Sequence, residues 1–397
     1  MGRWRYRGGD DYADESPKVD KIRKRKHAHK KSLQSKEPFE LAVDQWDLKS
    51  DGRFIGRVVE VHKRYMFVSP EPTLYDIDTA DVNLGTIARR FLTSRKIERN
   101  LITVGDRVLC QPATDLEMPV ETDLPRVMVI NRAPREGKIA RRDPINEALE
   151  HVIAANIDQL VIIASVLKPK VRWGLVDRYL ALAEEQRLPV ILVLNKVDLL
   201  HEADEAFKEK YGEMVAVYKN LGYEVLEISA LSQKQQDFAP AGDLLKDKVS
   251  IFSGHSGVGK SSLVNQFDPE IVQEVEGNPD IFYKGRHTTT YASFIKLKSL
   301  GGYVIDTPGI RSLSVGDRSA IELTYSFRDL RPFMGRCKFR ECRHIDEPEC
   351  AVLEALDTGE VHPSRYASYR SLLLGESGRE GRSGLKEEDD LQIEEFE

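Results

Sequence analysis

Residues 252–262 read FSGHSGVGKSS, and Gly254–Ser261 within them has the pattern G-x-x-x-x-G-K-S. Glycines at 254, 257 and 259 let consecutive backbone N–H groups turn inward around phosphate oxygens. Lys260 is long enough to reach β- and γ-phosphates, and the Ser261 hydroxyl is a ligand for Mg²⁺. His255, Ser256, Val258 and Ser262 complete the contact set; position 255 contributes mainly backbone, so the His255 ring is read as a bystander. An apolar run precedes the loop and a helical pattern, SSLVNQF, follows it, which is the strand–loop–helix context the motif requires. Alone, the loop specifies a nucleoside triphosphate and not its base.

Asn195-Lys196-Val197-Asp198 supplies the base. An ionised carboxylate only accepts hydrogen bonds, so Asp198 can take both the ring N–H and the exocyclic amine of guanine, a donor pair that adenine lacks. Asn195 can bond the base edge and the phosphate loop, and Lys196 can lie along the ring. Ser229-Ala230 ends the next strand pattern as a third base-contacting loop. Asp306-Thr-Pro-Gly309 fits a D-x-x-G switch, with Asp306 holding Mg²⁺ through water and the Gly309 N–H meeting the γ-phosphate; an ordinary turn is the alternative, since DTPG is good turn chemistry, and the other motifs favour the switch. Between them, GRHTTT at 285–290 offers a threonine to complete the Mg²⁺ shell. Spacing favours Thr289, with Thr288 the alternative. Ile310 follows Gly309, where Ras-like GTPases carry a water-orienting Gln. Isoleucine cannot orient water, and His287 is the nearest group that can, since a neutral imidazole accepts from it.

Cys337, Cys342, His344 and Cys350 form a second constellation. Three thiolates and one imidazole make a closed tetrahedral site for Zn²⁺, structural rather than catalytic. The surrounding GRCKFRECRHIDEPEC is too polar for a core of buried cysteines. Cys110 stands alone in an apolar run and reads as core.

The elements that must position these groups follow from patterning. From Gly52, short β-runs punctuated by Gly-Asp and Pro, such as GRFIGRVVEVHKRYMFVSP, indicate a small β-barrel. From about 145 to 330, apolar strand runs alternate with helical patterns, which implies a parallel sheet covered on both faces. Cys-rich sequence and short helices follow. The net charge of −6 conceals an asymmetry: residues 1–36 carry twelve Lys/Arg against five Asp/Glu, and the tail from Glu376 carries three against nine. A basic arm on an acidic body suits a polyanion such as nucleic acid. No apolar run reaches the roughly 20 residues of a membrane span, and the N-terminus lacks an apolar signal core, so a cytoplasmic location is expected.

The order NKVD, SA, GHSGVGKSS, GRHTTT, DTPGIR, then Cys-Cys-His-Cys resembles the circularly permuted, small-ribosomal-subunit-dependent GTPases of the RsgA/YjeQ family, over roughly residues 50–375. In an ordinary GTPase the phosphate loop comes first and NKVD last. The resemblance implies a multidomain protein: an OB-fold RNA-binding barrel at 49–140, a circularly permuted P-loop GTPase α/β domain at 141–330, and a zinc-binding helical domain at 331–375. A basic arm at 1–48 and an acidic tail at 376–397 flank them. It implies binding to the 30S subunit and its 16S rRNA late in maturation, turnover stimulated by that subunit, His287 as the catalytic histidine, and one Zn²⁺ on the four ligands. GTP or GDP with Mg²⁺ is the cofactor set; no membrane partner is expected and a monomer is the default. Arg53, Arg57, Lys63 and Arg64 are cations available in the first barrel strands. An RNA scaffold that holds guanine nucleotide with negligible turnover is the alternative function; a GTPase on a protein or membrane partner is weaker, because no lipidation motif or basic amphipathic helix stands out. The permutation is expected to put the DTPG switch next to the zinc module and so couple nucleotide state to that module's placement on RNA.

Overall fold

The computed structural model describes residues 40–49, 51–71, 77, 81–88, 100–113, 122–142, 150–231, 239–268, 293–306 and 318–375. The basic stretch up to Pro38, the acidic tail from Glu376, the GRHTTT segment with His287, Thr288 and Thr289, and Gly309-Ile310 lie outside the described residues.

Strands β1 (Phe54–Val61), β2 (Met66–Pro70), β3 (Asn83–Ile87), β4 (Arg107–Pro112) and β5 (Arg126–Arg132) close into a barrel in the order β1-β2-β3-β5-β4, sealed by β4 pairing back onto β1. Val58, Val68, Val108, Val129 and Cys110 fill its centre, and burial holds the Cys110 thiol far above its ordinary pKa, as a core residue requires. Gly56 sits where strands approach closely: a Cβ there would stand 2.4 Å from Val68 Cγ1. Residues 40–48, placed in the arm by their sequence, belong to this body. Trp46 is buried, its indole donates to the Leu41 carbonyl at 3.2 Å, and Leu41 bonds Arg132. The apolar residues here have no periodicity and carry no strand or helix signal; Leu41, Val43 and Trp46 are held by the barrel's side.

A hairpin of β6 (Lys138–Arg142) and β7 (Glu150–Ala155) leads into the α/β region. There, β8 (Gln159–Ser165), α1 (Trp173–Gln186), β9 (Val190–Asn195), α2 (Glu205–Asn220), β10 (Glu224–Ile228), α3 (Ala239–Leu245), β11 (Val249–Ser253) and α4 (Lys260–Phe267) alternate, followed by β12 (Ser293–Leu297) and β13 (Gly302–Asp306). The strand order is β10-β9-β8-β11-β13-β12, parallel except for β12. Every residue of β9 and β11 is buried, as strands covered on both faces must be. Alternate side chains serve the two layers: Leu192 and Ile251 pack with Leu180 of α1 and Met214 of α2, while Val193 and Phe252 pack with Leu245 of α3 and Leu263 of α4. The chain first builds outward from β8 to β10, then returns to lay β11 against the other side of β8. The β8/β11 boundary is therefore the topological switch point, where the crevice at the strands' carboxyl ends receives ligands.

The two sheets are continuous. The first half of β1 lies between β2 and β4; a bulge at Val58/Glu60 bends it, and Glu60 then pairs with Ser293 of β12. Lys296 of β12 and Tyr303 of β13 both donate to the Ile77 carbonyl of the barrel, at 3.1 and 3.2 Å. The C-terminal block comprises α5 (Ala320–Ser326), the Cys/His loop, α6 (Ala351–Asp357) and α7 (Pro363–Leu373). It docks on α1 through buried Arg365, which grips Asp329 with two nitrogens at 3.1 and 2.8 Å and Asp177 of α1 at 2.5 Å. Tyr218 of α2 also donates to Asp177 at 2.7 Å. Among the described residues no helix is long and apolar enough to cross a membrane.

Arg57 is not an RNA-facing cation. It is 0% exposed and makes a bidentate pair with equally buried Glu71, at 3.1 and 2.6 Å, with a third bond to the Gly105 carbonyl. Arg107 adds a further bond to Glu71 at 3.0 Å. Arg53 pairs with Asp47 and Asp51, so Lys63 and Arg64, both exposed, remain as the outward cations of that group. Removing one partner of a buried pair strands the other charge, at about 3–5 kcal/mol. Glu71→Ala is expected to lose that much in urea denaturation, against at most about 1 kcal/mol for Arg53→Ala at the surface; equal, small losses would refute the assignment.

Candidate functional site

The crevice is assembled by three loops, each leaving the carboxyl end of a parallel strand. After β9, Asn195 is 1% exposed and all of its amide groups are engaged. Its Oδ1 accepts from the Lys196 N–H at 2.8 Å and the Ala230 N–H at 2.9 Å, and its Nδ2 donates to the Val258 carbonyl at 2.9 Å. One side chain thus joins NKVD, the Ser229-Ala230 loop after β10 and the phosphate loop after β11. Lys196 adopts a left-handed conformation (φ 64°) and sends its ammonium to the carbonyls of Gly257, at 2.8 Å, and Lys168, at 2.5 Å. Burial lowers the Lys196 pKa, and Asp198 works against that shift.

Asp198 is exposed. Ser229 fixes it twice: the hydroxyl donates to Asp198 Oδ1 at 2.6 Å and accepts from the Asp198 N–H at 3.1 Å. Val197 opens a short 3-10 turn that carries Asp198 out over the crevice. Gln266 of α4 holds the Ala230 carbonyl at 2.6 Å, tying the base side to the helix behind the phosphate loop.

The phosphate loop needs its glycines for two separate reasons. Gly254, Gly257 and Gly259 have φ of 150°, 79° and 96°. In addition, a Cβ on Gly254 would stand 2.1 Å from the Ile163 carbonyl, and one on Gly259 only 2.3 Å from Asn195 Nδ2. Gly259 caps α4, so the N–H groups of Lys260, Ser261 and Ser262 open into the crevice at the positive end of the helix. The Lys260 ammonium spans the loop and donates to the Gly254 and His255 carbonyls, both at 3.0 Å. The His255 ring is exposed and, among the described residues, its hydrogen bond is to the Ser256 carbonyl, at 2.9 Å. Val258 is buried, with its carbonyl turned to Asn195. Asp306 ends β13, which is hydrogen-bonded alongside β11 with Asp306 opposite Phe252. Its backbone therefore reaches the same edge of the sheet as the phosphate loop.

In the C-terminal block, one ligand atom from each of Cys337, Cys342, His344 and Cys350 lies within 4.8 Å of the others. Cys337 Sγ is 3.5 Å from His344 Nδ1 and 3.9 Å from Cys350 Sγ; His344 Nδ1 is 3.3 Å from Cys350 Sγ. Ligands about 2.1–2.3 Å from a shared Zn²⁺ stand about 3.4–3.8 Å apart at the corners of a tetrahedron, so the donor set fits zinc in number, type and spacing. Without a cation, burial pushes the Cys342 thiol up to about 12, raises Cys350 and lowers His344. A dication supplies the charge that lets such thiols ionise. Tyr366 and Tyr369 of α7 donate to the His344 and Arg343 carbonyls, at 2.8 and 3.0 Å, and hold the loop in place. The sequence did not reveal this second layer, nor the role of Gln266, because neither belongs to a motif.

This geometry has counterparts. Residues 132–316 match the family model described as RsgA GTPase. The chain is 35% identical over 353 residues to the small ribosomal subunit biogenesis GTPase RsgA of Proteus mirabilis, spanning 87% of this chain and 91% of that protein. The chain belongs to the RsgA GTPase family. Another member, from Mannheimia succiniciproducens, is 40% identical over 64% of this chain and 70% of its own length. The crystal structure of YjeQ from Thermotoga maritima superposes with a TM-score of 0.60 at 32% identity, covering 82% of this chain and 99% of that one. YloQ, described as a circularly permuted GTPase, gives 0.59 at 28% identity, covering 84% and 98%. RsgA membership and the strand order agree on the permuted GTPase fold with its barrel and Cys/His block.

Two outcomes test the site. Gly259→Ala introduces about 1–3 kcal/mol of backbone strain and pushes against Asn195, so fluorescent-GDP affinity should fall on the order of tenfold to a hundredfold with the far-UV spectrum preserved. Unchanged affinity would mean that the loop is not the phosphate site. The purified chain should carry about one zinc by elemental analysis, and Cys350→Ser should lose it; full retention of zinc in that variant would remove Cys350 from the ligand set.

Proposed function

We propose that this chain is a Mg²⁺-dependent GTP hydrolase of ribosome biogenesis that binds the 30S subunit and its 16S rRNA in late maturation, with nucleotide state coupled to rRNA binding. The observation that carries this reading is the convergence of three loops on Asn195, which puts a guanine-type carboxylate and a phosphate loop on one crevice. Support for the ribosomal part comes from relatives that bear the name small ribosomal subunit biogenesis GTPase. A cytoplasmic location follows from the same reading.

Asp198 accepts the two donors of guanine, with Ser229 holding its carboxylate in place. Lys196 lies along the base. An entering triphosphate offers Lys260 charged oxygens in place of two neutral carbonyls, and backbone N–H groups of 256–262 surround it. Ser261 and Thr289 would hold Mg²⁺, which supplies charge neutralisation between the phosphates when bound. Asp306 and Gly309 form the γ-phosphate switch. His287 orients the attacking water, because Ile310 cannot. The Zn²⁺ of Cys337, Cys342, His344 and Cys350 is structural. Residues 49–140 act as the RNA-binding barrel, with Lys63 and Arg64 at its β1–β2 turn beside the stacked His62 and Tyr65 rings, 4.4 Å apart. Coupling has a physical route on both sides. The strand that follows GRHTTT pairs with the barrel at Glu60, and the chain that follows DTPG enters α5 of the zinc block.

Ile310 also favours a second reading, an RNA scaffold that keeps guanine nucleotide without meaningful turnover. The deciding measurement is GTP hydrolysis by the pure protein alone, with 30S subunits and with 50S subunits. Stimulation by 30S only is the expected result, and His287→Ala should abolish it while retaining nucleotide. No stimulation by either subunit, with nucleotide still bound, would favour the scaffold.

A further inference from the structure

The loop between β8 and α1 carries a pattern that neither nucleotide binding nor the metal cluster uses. Residues 168–172 read KPKVR: Lys168, Lys170 and Arg172 are exposed, and Pro169 and Val171 between them are half-buried. Lys168 forms a surface pair with Glu202. Among the described residues Lys170 and Arg172 face no carboxylate, and the Lys170 ammonium lies 5.4 Å over the Phe207 ring. Phe207 stacks on Tyr211 at 6.4 Å. Trp173, next to Arg172, meets Tyr211 and Tyr218 at 6.1 and 5.6 Å. Phe207 and Trp173 are only partly buried, so Lys170 lies over a partly open aromatic edge, with Arg172 next to Trp173 in the chain.

Single unpaired surface cations are ordinary. Two cations facing no carboxylate within three residues, one of them over an open aromatic ring, is a composition that suits nucleic acid, because cations neutralise phosphates while ring faces accept an unstacked base. An acidic protein surface would engage the cations and leave the rings without a role. The loop also adjoins the guanine site: its Lys168 carbonyl is one of the two acceptors that hold Lys196.

We propose that the 168–173 loop, with Phe207, is an RNA-contact surface next to the nucleotide crevice, taking phosphates at Lys170 and Arg172 and an unstacked base at the aromatic edge. It rests on the ribosomal reading above. The test compares the wild-type chain with a Lys170→Gln/Arg172→Gln double variant. Affinity for 30S subunits and for a fluorescent oligouridylate is measured from roughly 50 to 200 mM salt, with GDP affinity as a control for folding. Loss of two phosphate contacts should lower the log–log salt slope by about 1.4–1.8 and weaken binding roughly tenfold, with GDP affinity unchanged. The same slope and affinity for both RNA targets would overturn the proposal. So would a loss confined to 30S with oligouridylate binding intact, which would assign the surface to a ribosomal protein. If neither protein binds 30S but the variant loses slope on oligouridylate, the RNA surface stands and the ribosomal reading fails.

Discussion

The candidate nucleotide crevice depends on the carboxamide of Asn195. Its partners lie 35 and 63 residues away in sequence, in the loops after two other strands, and no covalent feature holds the three loops together. A buried amide left with an unmatched group costs about 1–3 kcal/mol, so the base loop and the phosphate loop are held at one separation. Gly259 is the other half of the same constraint, because a methyl group there would occupy the space of the Asn195 amide nitrogen. Lys196 repeats the link from the next residue by bonding the Gly257 carbonyl.

This explains how a G domain tolerates a permuted chain. What the site requires is that β9, β8, β11 and β13 lie side by side with their carboxyl ends together, and the parallel ladders and the two apolar layers impose that order without reference to which strand is made first. Permutation changes only where the chain enters and leaves. Here it enters from the barrel by way of the β6–β7 hairpin and leaves towards the Cys/His block, and both neighbours rest on the G domain.

The two attachments use different physics. The barrel is joined by sheet continuity: β1 serves β2, β4 and, beyond its bulge, β12. The C-terminal block is joined by charge as well as by apolar packing around Ala181 of α1. Arg365 is buried between Asp177 and Asp329, while Arg328 and Arg331 share Glu184 at 2.6 and 2.7 Å. Buried ion pairs contribute little net stability because desolvation offsets their attraction, but losing one partner strands the other charge. These pairs tie the block to α1, the helix whose leading loop borders the crevice.

The chain's own residues determined the chemistry. Glycine spacing, the lysine that follows it, the NKVD tetrad and the Cys/His spacing are local properties, legible because each motif acts through backbone or through side chains a few residues apart. Unbroken apolar runs likewise declared the doubly covered strands, and an isolated apolar cysteine declared itself core. Tertiary structure decided what partners these groups find. Arg57 has the same composition signal as Arg64, yet one is sealed against Glu71 and the other faces water. Residues 40–48 fold because the barrel offers Trp46 a place. Arg365 belongs to no motif and is a buried clasp to a residue 188 positions earlier. Periodicity reports how much of a side chain is hidden; it carries no record of the distant carboxylate that makes hiding a charge affordable, because that pairing exists only once the sheet and its two attached bodies have come together.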